Sequence, residues 1–201
     1  MRDHAGMPGQ PLFFFGAMSP YSWFAAERID AVLPQARWRG VLAGALFKAR
    51  GRESWGLSER RGPGMADCEA RAVARGLGQI SWPDPWPTSD LLIARAMAHA
   101  ERLGTLRPFA LSAMRLAFLE GSDLADREVV LEAARRSAID VAQLEGALED
   151  PDVKQALRSI TDEALALGVF GVPTIAVGAE LFWGDDRLDE AADAVLEHQS
   201  G

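Results

Sequence analysis

Two serines follow the first apolar segment of the chain, in the string Ser19-Pro20-Tyr21-Ser22. A predicted strand, Pro11–Met18, ends there and a helix begins, which makes Ser19 the expected N-cap and Pro20 the first helical residue. Backbone amides at a helix start favour an anion, and they stabilise a thiolate placed there. A serine hydroxyl cannot exchange disulfides, but it can donate a hydrogen bond to the thiolate of another molecule. The string therefore predicts either a plain helix cap or a thiolate-binding site, and it excludes dithiol chemistry.

A second string, Gly171-Val172-Pro173-Thr174, stands directly before a predicted strand. A cis X-Pro bond is a feature of tight turns. A cis bond at Pro173 would turn the N–H and C=O of Val172 away from the sheet and leave them free to pair with a peptide-like ligand. A proline that only begins a strand gives the same string. Both interpretations remain open from these residues alone.

Adjacent carboxylates form the third string, in the segment Gly184-Asp185-Asp186-Arg187-Leu188. Aspartates at the start of a helix cap it and interact favourably with its dipole. Alternatively, one of the two accepts an ammonium group of a ligand. Arg187 is expected to pair with nearby carboxylates rather than with the ligand.

The elements that must position these strings alternate between strand and helix at both ends of the chain. After Pro11–Met18, the pattern predicts a helix over Tyr21–Leu33 and a second strand over Ala36–Leu42, which is the order of a parallel α/β unit. Near the other end, Ile175–Val177 and Glu180–Trp183 predict a hairpin followed by a closing helix.

The residues between these two ends are mainly helical in pattern. A loop-rich stretch runs from Leu46 to about Asp90, with one helix predicted over Met65–Leu77. Five helical segments follow: Leu91–Leu103, Arg107–Glu120, Asp126–Ser137, Asp140–Leu148 and Asp152–Leu167. The sequence thus predicts an α/β framework whose halves are separated by a long helical insertion.

Composition narrows the classes of function. A formal net charge of −8 argues against a nucleic-acid surface. The single cysteine, Cys68, cannot form an internal disulfide, and it is expected to be a small buried or half-buried residue. The apolar run from Leu12 is too short for a signal peptide or a membrane span, so a cytoplasmic protein without a membrane partner is expected. His4, His99 and His198 are spaced too widely to predict a metal site.

Two further groups of side chains leave alternatives open. Five basic residues close in sequence form either a solvated loop or a contact with an anionic ligand: Lys48, Arg50, Arg52, Arg60 and Arg61. Three tryptophans belong either to the core or to the lining of an aromatic substrate pocket: Trp55, Trp82 and Trp86.

Taken in order, the three strings resemble those of the 2-hydroxychromene-2-carboxylate isomerase family and of the similar kappa-class glutathione transferases. The likeness extends from Leu12 to Leu196 and includes the proline-rich segment Trp82-Pro83-Asp84-Pro85-Trp86-Pro87. It implies an α/β, thioredoxin-like fold interrupted by an all-helical insertion domain, usually assembled as a homodimer. The implied domain limits are 11–45 and 151–201 for the two thioredoxin-like parts and 46–150 for the insertion.

The resemblance also implies a glutathione site. Ser19 would hold the glutathione sulfur, Val172 ahead of Pro173 its cysteinyl backbone, and Asp185 and Asp186 its γ-glutamyl end. The implied activity is isomerisation of a small electrophilic substrate, by addition of the thiolate to a conjugated double bond, rotation and elimination. A kappa-class-like transferase, in which addition is not followed by elimination, is the alternative.

Some residues depart from the pattern of this family. The segment Phe47–Glu53 lacks the asparagine that relatives often carry. A tyrosine that is often found early in the insertion is also missing, since Tyr21 is the only tyrosine in the chain. A glutathione-binding protein without catalytic activity is therefore a third alternative. By the same resemblance, Asp67 corresponds to an aspartate of the insertion, and Arg60 to a basic residue near the glycyl carboxylate.

Overall fold

Four strands form one mixed sheet within residues 10–200, the part of the chain that the structure, a computed structural model, describes. Strand β1 (Leu12–Phe15) pairs in parallel with β2 (Arg37–Gly40) and antiparallel with β3 (Thr174–Val177). Strand β4 (Glu180–Trp183) completes a hairpin with β3. The predicted parallel strand–helix–strand unit and the predicted hairpin are both confirmed. His4, considered above as a metal ligand, lies outside the described residues.

Strand β1 is buried on both faces. Phe13, Phe14 and Phe15 have no exposed surface, which explains a continuous apolar run in place of the alternation of a half-exposed strand. The ring of Trp38 on β2 meets Phe13 edge-on at a centroid distance of 5.1 Å. The strand ends at Phe15, earlier than the predicted Met18, because the next residues form the turn into the first helix.

Helix α1 (Pro20–Val32) begins where the sequence predicts, with Ser19 as its N-cap and Pro20 at its first position. Proline is favourable there because the first amides of a helix have no partner within the helix. The helix buries Trp23, Phe24 and Ile29 completely. This packing fixes the direction in which the start of α1 meets the sheet.

Seven helices lie between β2 and β3 in the described part of the chain: α2 (Ala43–Ala49), α3 (Arg61–Ala74), α4 (Leu91–Leu103), α5 (Leu106–Glu120), α6 (Arg127–Arg136), α7 (Val141–Ala147) and α8 (Pro151–Ala166). Helix α9 (Leu188–Ser200) follows β4. The five helical segments predicted after Asp90 are confirmed within one residue at either end. Asp126, Asp140 and Asp150 cap α6, α7 and α8 with their side chains.

The predicted loop from Leu46 onward is wrong at its start, where α2 extends to Ala49. Seven residues are too few for a helical period to be recognised, and the burial of Ala43 and Leu46 stabilises the segment instead. Helix α3 begins at Arg61, four residues before the predicted Met65. Pro63 is tolerated there because it lies in the first turn.

The helical insertion packs directly on the sheet. Met97 of α4 contacts Gly40 of β2, where a Cβ atom would approach the Met97 Cβ atom to 3.0 Å. Helix α8 packs against α2, α4 and β2, so the domain limit between residues 150 and 151 stays a prediction. Between residues 10 and 200 no helix combines the length and apolar character that crossing a membrane requires.

Candidate active site

A cavity of about 1160 Å³ lies where the two ends of the chain meet the insertion. Its wall is formed by the turn before α1, the segment from α2 to α3, the loop before β3 and the turn after β4. The residues of the predicted glutathione site all line it: Ser19, Val172, Pro173, Asp185 and Asp186. The fold therefore brings the three sequence strings to one place.

Ser19 both caps α1 and retains a free donor. Its Oγ atom accepts a hydrogen bond from the backbone N–H of Ser22 over 3.3 Å. This bond uses a lone pair of the oxygen, and the hydroxyl hydrogen of Ser19 has no acceptor within residues 10–200. Ser22 is fully buried, and its Oγ accepts from the amide of Gly16 over 3.3 Å. Only the first serine of the pair can donate into the cavity.

The peptide bond between Val172 and Pro173 is cis, as the sequence string predicts under its functional interpretation. The N–H and C=O of Val172 have no hydrogen-bond partner among the described residues. The neighbouring groups are paired: Pro173 accepts from the amide of Gly184 over 3.0 Å, and the Thr174 hydroxyl donates to the Gly171 carbonyl over 2.8 Å. An unpaired backbone edge thus lines the cavity.

The adjacent aspartates have different surroundings. Gly184, with a φ of 118° that favours glycine, turns the chain after β4. Asp185 is only 2% exposed, and its carboxylate forms ion pairs with Arg71 and Arg75 of α3. Asp186 is exposed and has no ion-pair partner in the described part of the chain. The carboxylate of Asp186 is therefore available to a ligand, and a ligand role for Asp185 stays a prediction.

The pairing predicted for Arg187 is confirmed, since its Nη2 atom lies 2.5 Å from Oε2 of Glu190. This contact joins the turn before α9 to the first turn of that helix. The guanidinium of Arg187 is therefore paired at the surface, and Arg187 does not line the cavity.

One side of the cavity carries a polar network that includes Asp67. The hydroxyl of Tyr21 donates to Oδ2 of Asp67 over 3.3 Å, and Arg71 Nε lies 2.8 Å from the same oxygen. The Arg71 guanidinium also lies over the Tyr21 ring, 5.5 Å from its centroid. Burial is the largest cause that raises the pKa of Tyr21. Tyr21 is therefore a neutral donor at physiological pH, and its bond helps to hold α3 beside α1.

Cys68 is fully buried, as predicted, and it is the one cysteine of the sequence. Burial is the main cause that raises the pKa of its thiol to about 12. A thiol in this state is almost entirely protonated at neutral pH, and the thiolate is the reactive form. Cys68 therefore offers no nucleophile to a molecule in the cavity.

Two of the three tryptophans considered above line the cavity. The rings of Trp55 and Trp86 lie 5.1 Å apart and form an aromatic wall. The Trp82 ring contacts that of Trp86 at a centroid distance of 4.6 Å and a tilt of 55°, without joining the lining. The indole N–H of Trp86 donates to the carbonyl of Met18 over 3.3 Å, next to Ser19. Sequence reasoning missed this positioning role, because nothing local joins residues 68 positions apart.

The basic run divides into two sets. Lys48, Arg52 and Arg60 line the cavity. Arg50 and Arg61 instead donate to backbone carbonyls, over 3.2 Å and 3.0 Å. Backbone carbonyls thus hold Arg50 and Arg61, and contact with an anionic ligand stays a prediction for the three cations of the cavity.

Asp90 is a cavity residue that sequence reasoning missed. An aspartate directly before a helix is typical of an N-cap, yet Asp90 makes no side-chain cap bond to α4. Its Oδ2 atom accepts from the backbone N–H of Gly44 over 3.2 Å, at the start of α2. Burial raises the pKa of Asp90, although hydrogen bonds from backbone amides oppose the shift. No group of three or more metal-ligating side chains is found in residues 10–200.

Comparison with known proteins agrees with this architecture. Residues 12–196 match the model of a family described as the DSBA-like thioredoxin domain. The 2-hydroxychromene-2-carboxylate isomerase of Sphingobium xenophagum is 27% identical over 203 residues, which cover 92% of this chain and 97% of that protein. A solved structure of a 2-hydroxychromene-2-carboxylate isomerase, 20% identical, superimposes with a TM-score of 0.79 and covers 94% of this chain and 97% of the other.

A disulfide reductase is also similar in fold. The cytosolic disulfide reductase DsbM from Pseudomonas aeruginosa, solved with GSH, is 16% identical with a TM-score of 0.63. The alignment covers 94% of this chain and 97% of that one. The thioredoxin-like fold with inserted helices is thus confirmed, and both isomerases and oxidoreductases share it.

Proposed function

The chain belongs to the DSBA-like thioredoxin domain family, and from that premise we propose that it is a glutathione-dependent isomerase of the 2-hydroxychromene-2-carboxylate isomerase type. The observation that carries this proposal is the set of unpaired groups in one cavity. These are the hydroxyl hydrogen of Ser19, the backbone edge of Val172 and the carboxylate of Asp186. They match in kind the thiolate, the cysteinyl amide and the ammonium group of glutathione.

The chemistry of this donor set fits a bound thiol better than disulfide exchange. Serine stands at both positions where a redox-active relative would need cysteine, and Cys68 is buried. A disulfide reductase of the same fold was solved with GSH, which supports glutathione as a ligand of this cavity. The isomerase relative supports the reaction type.

Ser19 would lower the pKa of the bound thiol in two ways. Its hydroxyl donates a hydrogen bond to the sulfur, and the first amides of α1 place a positive partial charge nearby. A free thiol with a pKa near 8.5 is only a few per cent ionised at neutral pH. One hydrogen bond to a charged group contributes about 1.5–3 kcal/mol, which corresponds to roughly one to two pKa units.

The remaining residues would orient the two reactants. Val172 would pair with the cysteinyl backbone and Asp186 with the γ-glutamyl ammonium group, which together fix the sulfur at Ser19. Trp55 and Trp86 would hold the flat face of an electrophilic substrate against that sulfur. An aromatic substrate would fit these two rings best. Bound glutathione would supply a thiolate that adds to a conjugated double bond and is eliminated after rotation.

A glutathione transferase is the second candidate, because the same cavity would serve conjugation to an electrophile. The segment Phe47–Glu53, which lacks the asparagine of relatives, keeps a non-catalytic glutathione-binding protein as the third. We further propose a cytoplasmic location and a homodimer, in keeping with the family that the sequence resembles.

Calorimetric titration of the purified protein with glutathione tests the binding step, with oxidised glutathione as the comparison. We expect saturable binding of reduced glutathione. Isomerisation of 2-hydroxychromene-2-carboxylate and conjugation of a chloro-dinitrobenzene then separate the candidates. Binding without either activity would favour the non-catalytic alternative, and no binding would contradict all three.

A further inference from the structure

Three cations on the wall of the cavity have no carboxylate partner among residues 10–200. They are Lys48, Arg52 and Arg60. Most other arginines of the described chain lie in ion pairs, as expected for a protein whose formal net charge is −8. Unpaired cations collected around one cavity favour an anionic group in the molecule that fills it.

Arg52 differs from the other two because aromatic rings hold its guanidinium. The Cζ atom of Arg52 lies 5.6 Å from the ring centroid of Phe170 and 5.6 Å from that of Trp183. These rings contact each other at 4.9 Å. The backbone N–H of Arg52 also donates to the carbonyl of Phe47 over 2.9 Å. A guanidinium stacked on an aromatic face keeps the N–H groups of its edge free for a carboxylate.

The rings that hold Arg52 adjoin two segments of the predicted glutathione site. Trp183 ends β4, three residues before Asp186. A Cβ atom at Gly171 would lie 2.7 Å from the Trp183 indole nitrogen, so this ring lies against the backbone that leads to Val172. Arg52 is therefore fixed on the side of the cavity where the cysteinyl and γ-glutamyl groups would lie.

We propose that Arg52 binds the α-carboxylate of the γ-glutamyl group, while Asp186 binds the ammonium group on the same carbon atom. This inference rests on the proposed glutathione site and extends it. An α-amino-acid head carries both charges on one carbon, so its recognition requires a cation and an anion near each other. Arginine suits the carboxylate because its fork can bind both oxygens. The role is one of binding and specificity, without a covalent step.

Calorimetric titration of wild type, Arg52→Gln and Arg158→Gln tests the proposal. Arg158 is the matched control: it is an exposed arginine of α8 without an ion pair in the described residues, and it does not line the cavity. The probes are glutathione, its glycyl ethyl ester, and an analogue with 4-aminobutyryl in place of γ-glutamyl, which keeps the ammonium group and lacks the α-carboxylate. Thermal melts verify that each variant folds.

For wild type we expect the aminobutyryl analogue to bind about tenfold more weakly than glutathione, which is the effect of one lost charge-assisted contact. Arg52→Gln should bind glutathione about tenfold more weakly, and it should no longer distinguish glutathione from this analogue. Arg158→Gln should behave as wild type.

Each contrary result has its own meaning. If Arg52→Gln binds glutathione as tightly as wild type, Arg52 binds no carboxylate of this ligand and the inference is overturned, while the proposed function stands. If the variant loses discrimination against the ethyl ester instead, Arg52 binds the glycyl carboxylate, and the γ-glutamyl assignment is wrong. If wild type binds no glutathione, the proposed function fails, and the inference fails with it.

Discussion

The Nη1 atom of Arg71 lies 3.5 Å from Oδ1 of Asp185, which joins helix α3 to the turn after β4. Arg75 contacts the second oxygen of the same carboxylate. A carboxylate that is 2% exposed needs this compensation, because an unpaired charge at such a site is strongly unfavourable. The carboxylate of the adjacent Asp186 lines the cavity without an ion pair in the described residues. The two neighbouring aspartates therefore have separate roles, one in the fold and one at the cavity.

Asparagine substitutions should separate these roles. We expect Asp186→Asn to weaken glutathione binding about tenfold with little change in the free energy of unfolding. Asp185→Asn should lower the free energy of unfolding by about 1–3 kcal/mol, because Arg75 loses its carboxylate partner and Arg71 loses one of its two. Calorimetric titration and urea unfolding of both variants provide the measurements. Equal losses of affinity with unchanged stability would mean that both carboxylates bind the ligand.

Removal of the Ser19 hydroxyl should affect the bound sulfur more than the fold, provided that the helix cap is kept. Glycine is nearly as good an N-cap as serine, whereas alanine costs about 0.5–2 kcal/mol. Ser19→Gly is therefore the control for Ser19→Ala. Both should raise the pKa of bound glutathione by about one to two units and slow turnover about 10–100-fold.

The ultraviolet absorbance of the thiolate, followed as a function of pH, measures the pKa of the bound thiol in each Ser19 variant. Affinity for glutathione should fall less than turnover, because only the ionised form loses the hydrogen bond. An unchanged titration curve and rate in both variants would show that Ser19 is only a helix cap.

Cys68 should be inert towards thiol reagents in the native protein. Its side chain is fully buried and its pKa is raised to about 12, chiefly by burial. We expect no reaction with a chromogenic disulfide reagent at pH 8, and one thiol per chain after unfolding in guanidinium. Cys68→Ser should keep glutathione binding. Rapid labelling of the native chain would instead reveal opening of α3 around this residue.

Asp90 should make stability depend on pH. Because burial raises the pKa of Asp90 in the folded state, the folded protein holds a proton more tightly than the unfolded chain. Stability is then fully present below the unfolded pKa and is lost as the pH rises through the folded value. Asp90→Asn keeps an acceptor for Gly44 and removes this loss. Its melting temperature should exceed that of wild type at pH 7 more than at pH 4.

The matched control for that comparison is Asp84→Asn, at an exposed position of the proline-rich segment that precedes Asp90. Its melting temperature should follow that of wild type across the range. If Asp90→Asn instead melts lower than wild type at pH 7, the hydrogen bond and charge of Asp90 at the start of α2 outweigh the cost of its burial.

The sequence predictions are accurate where the stabilising interactions lie within one segment, and they fail where those interactions join segments distant in the chain. Strand β4 and the helices α4 to α8 were predictable because burial periodicity and caps such as Asp140 lie within the segment itself. Helix α2 was not, because its seven residues are stabilised by burial of Leu46 among distant elements. The position of Trp86 above Met18 depends likewise on a contact across the fold.

The sequence by itself determined the α/β framework, the capped start of α1 at Ser19 and the candidate strings, because each depends on residues close together in the chain. The order of those strings along the chain carried the resemblance that implied a thioredoxin-like fold. Only the tertiary structure decided which charges remain available in the cavity. Within residues 10–200 the carboxylate of Asp185 is ion-paired and that of Asp186 is not, because Arg71, 114 positions away in the sequence, contacts Asp185. Ion pairing between distant elements has no local periodicity, so the neighbouring residues could not reveal it.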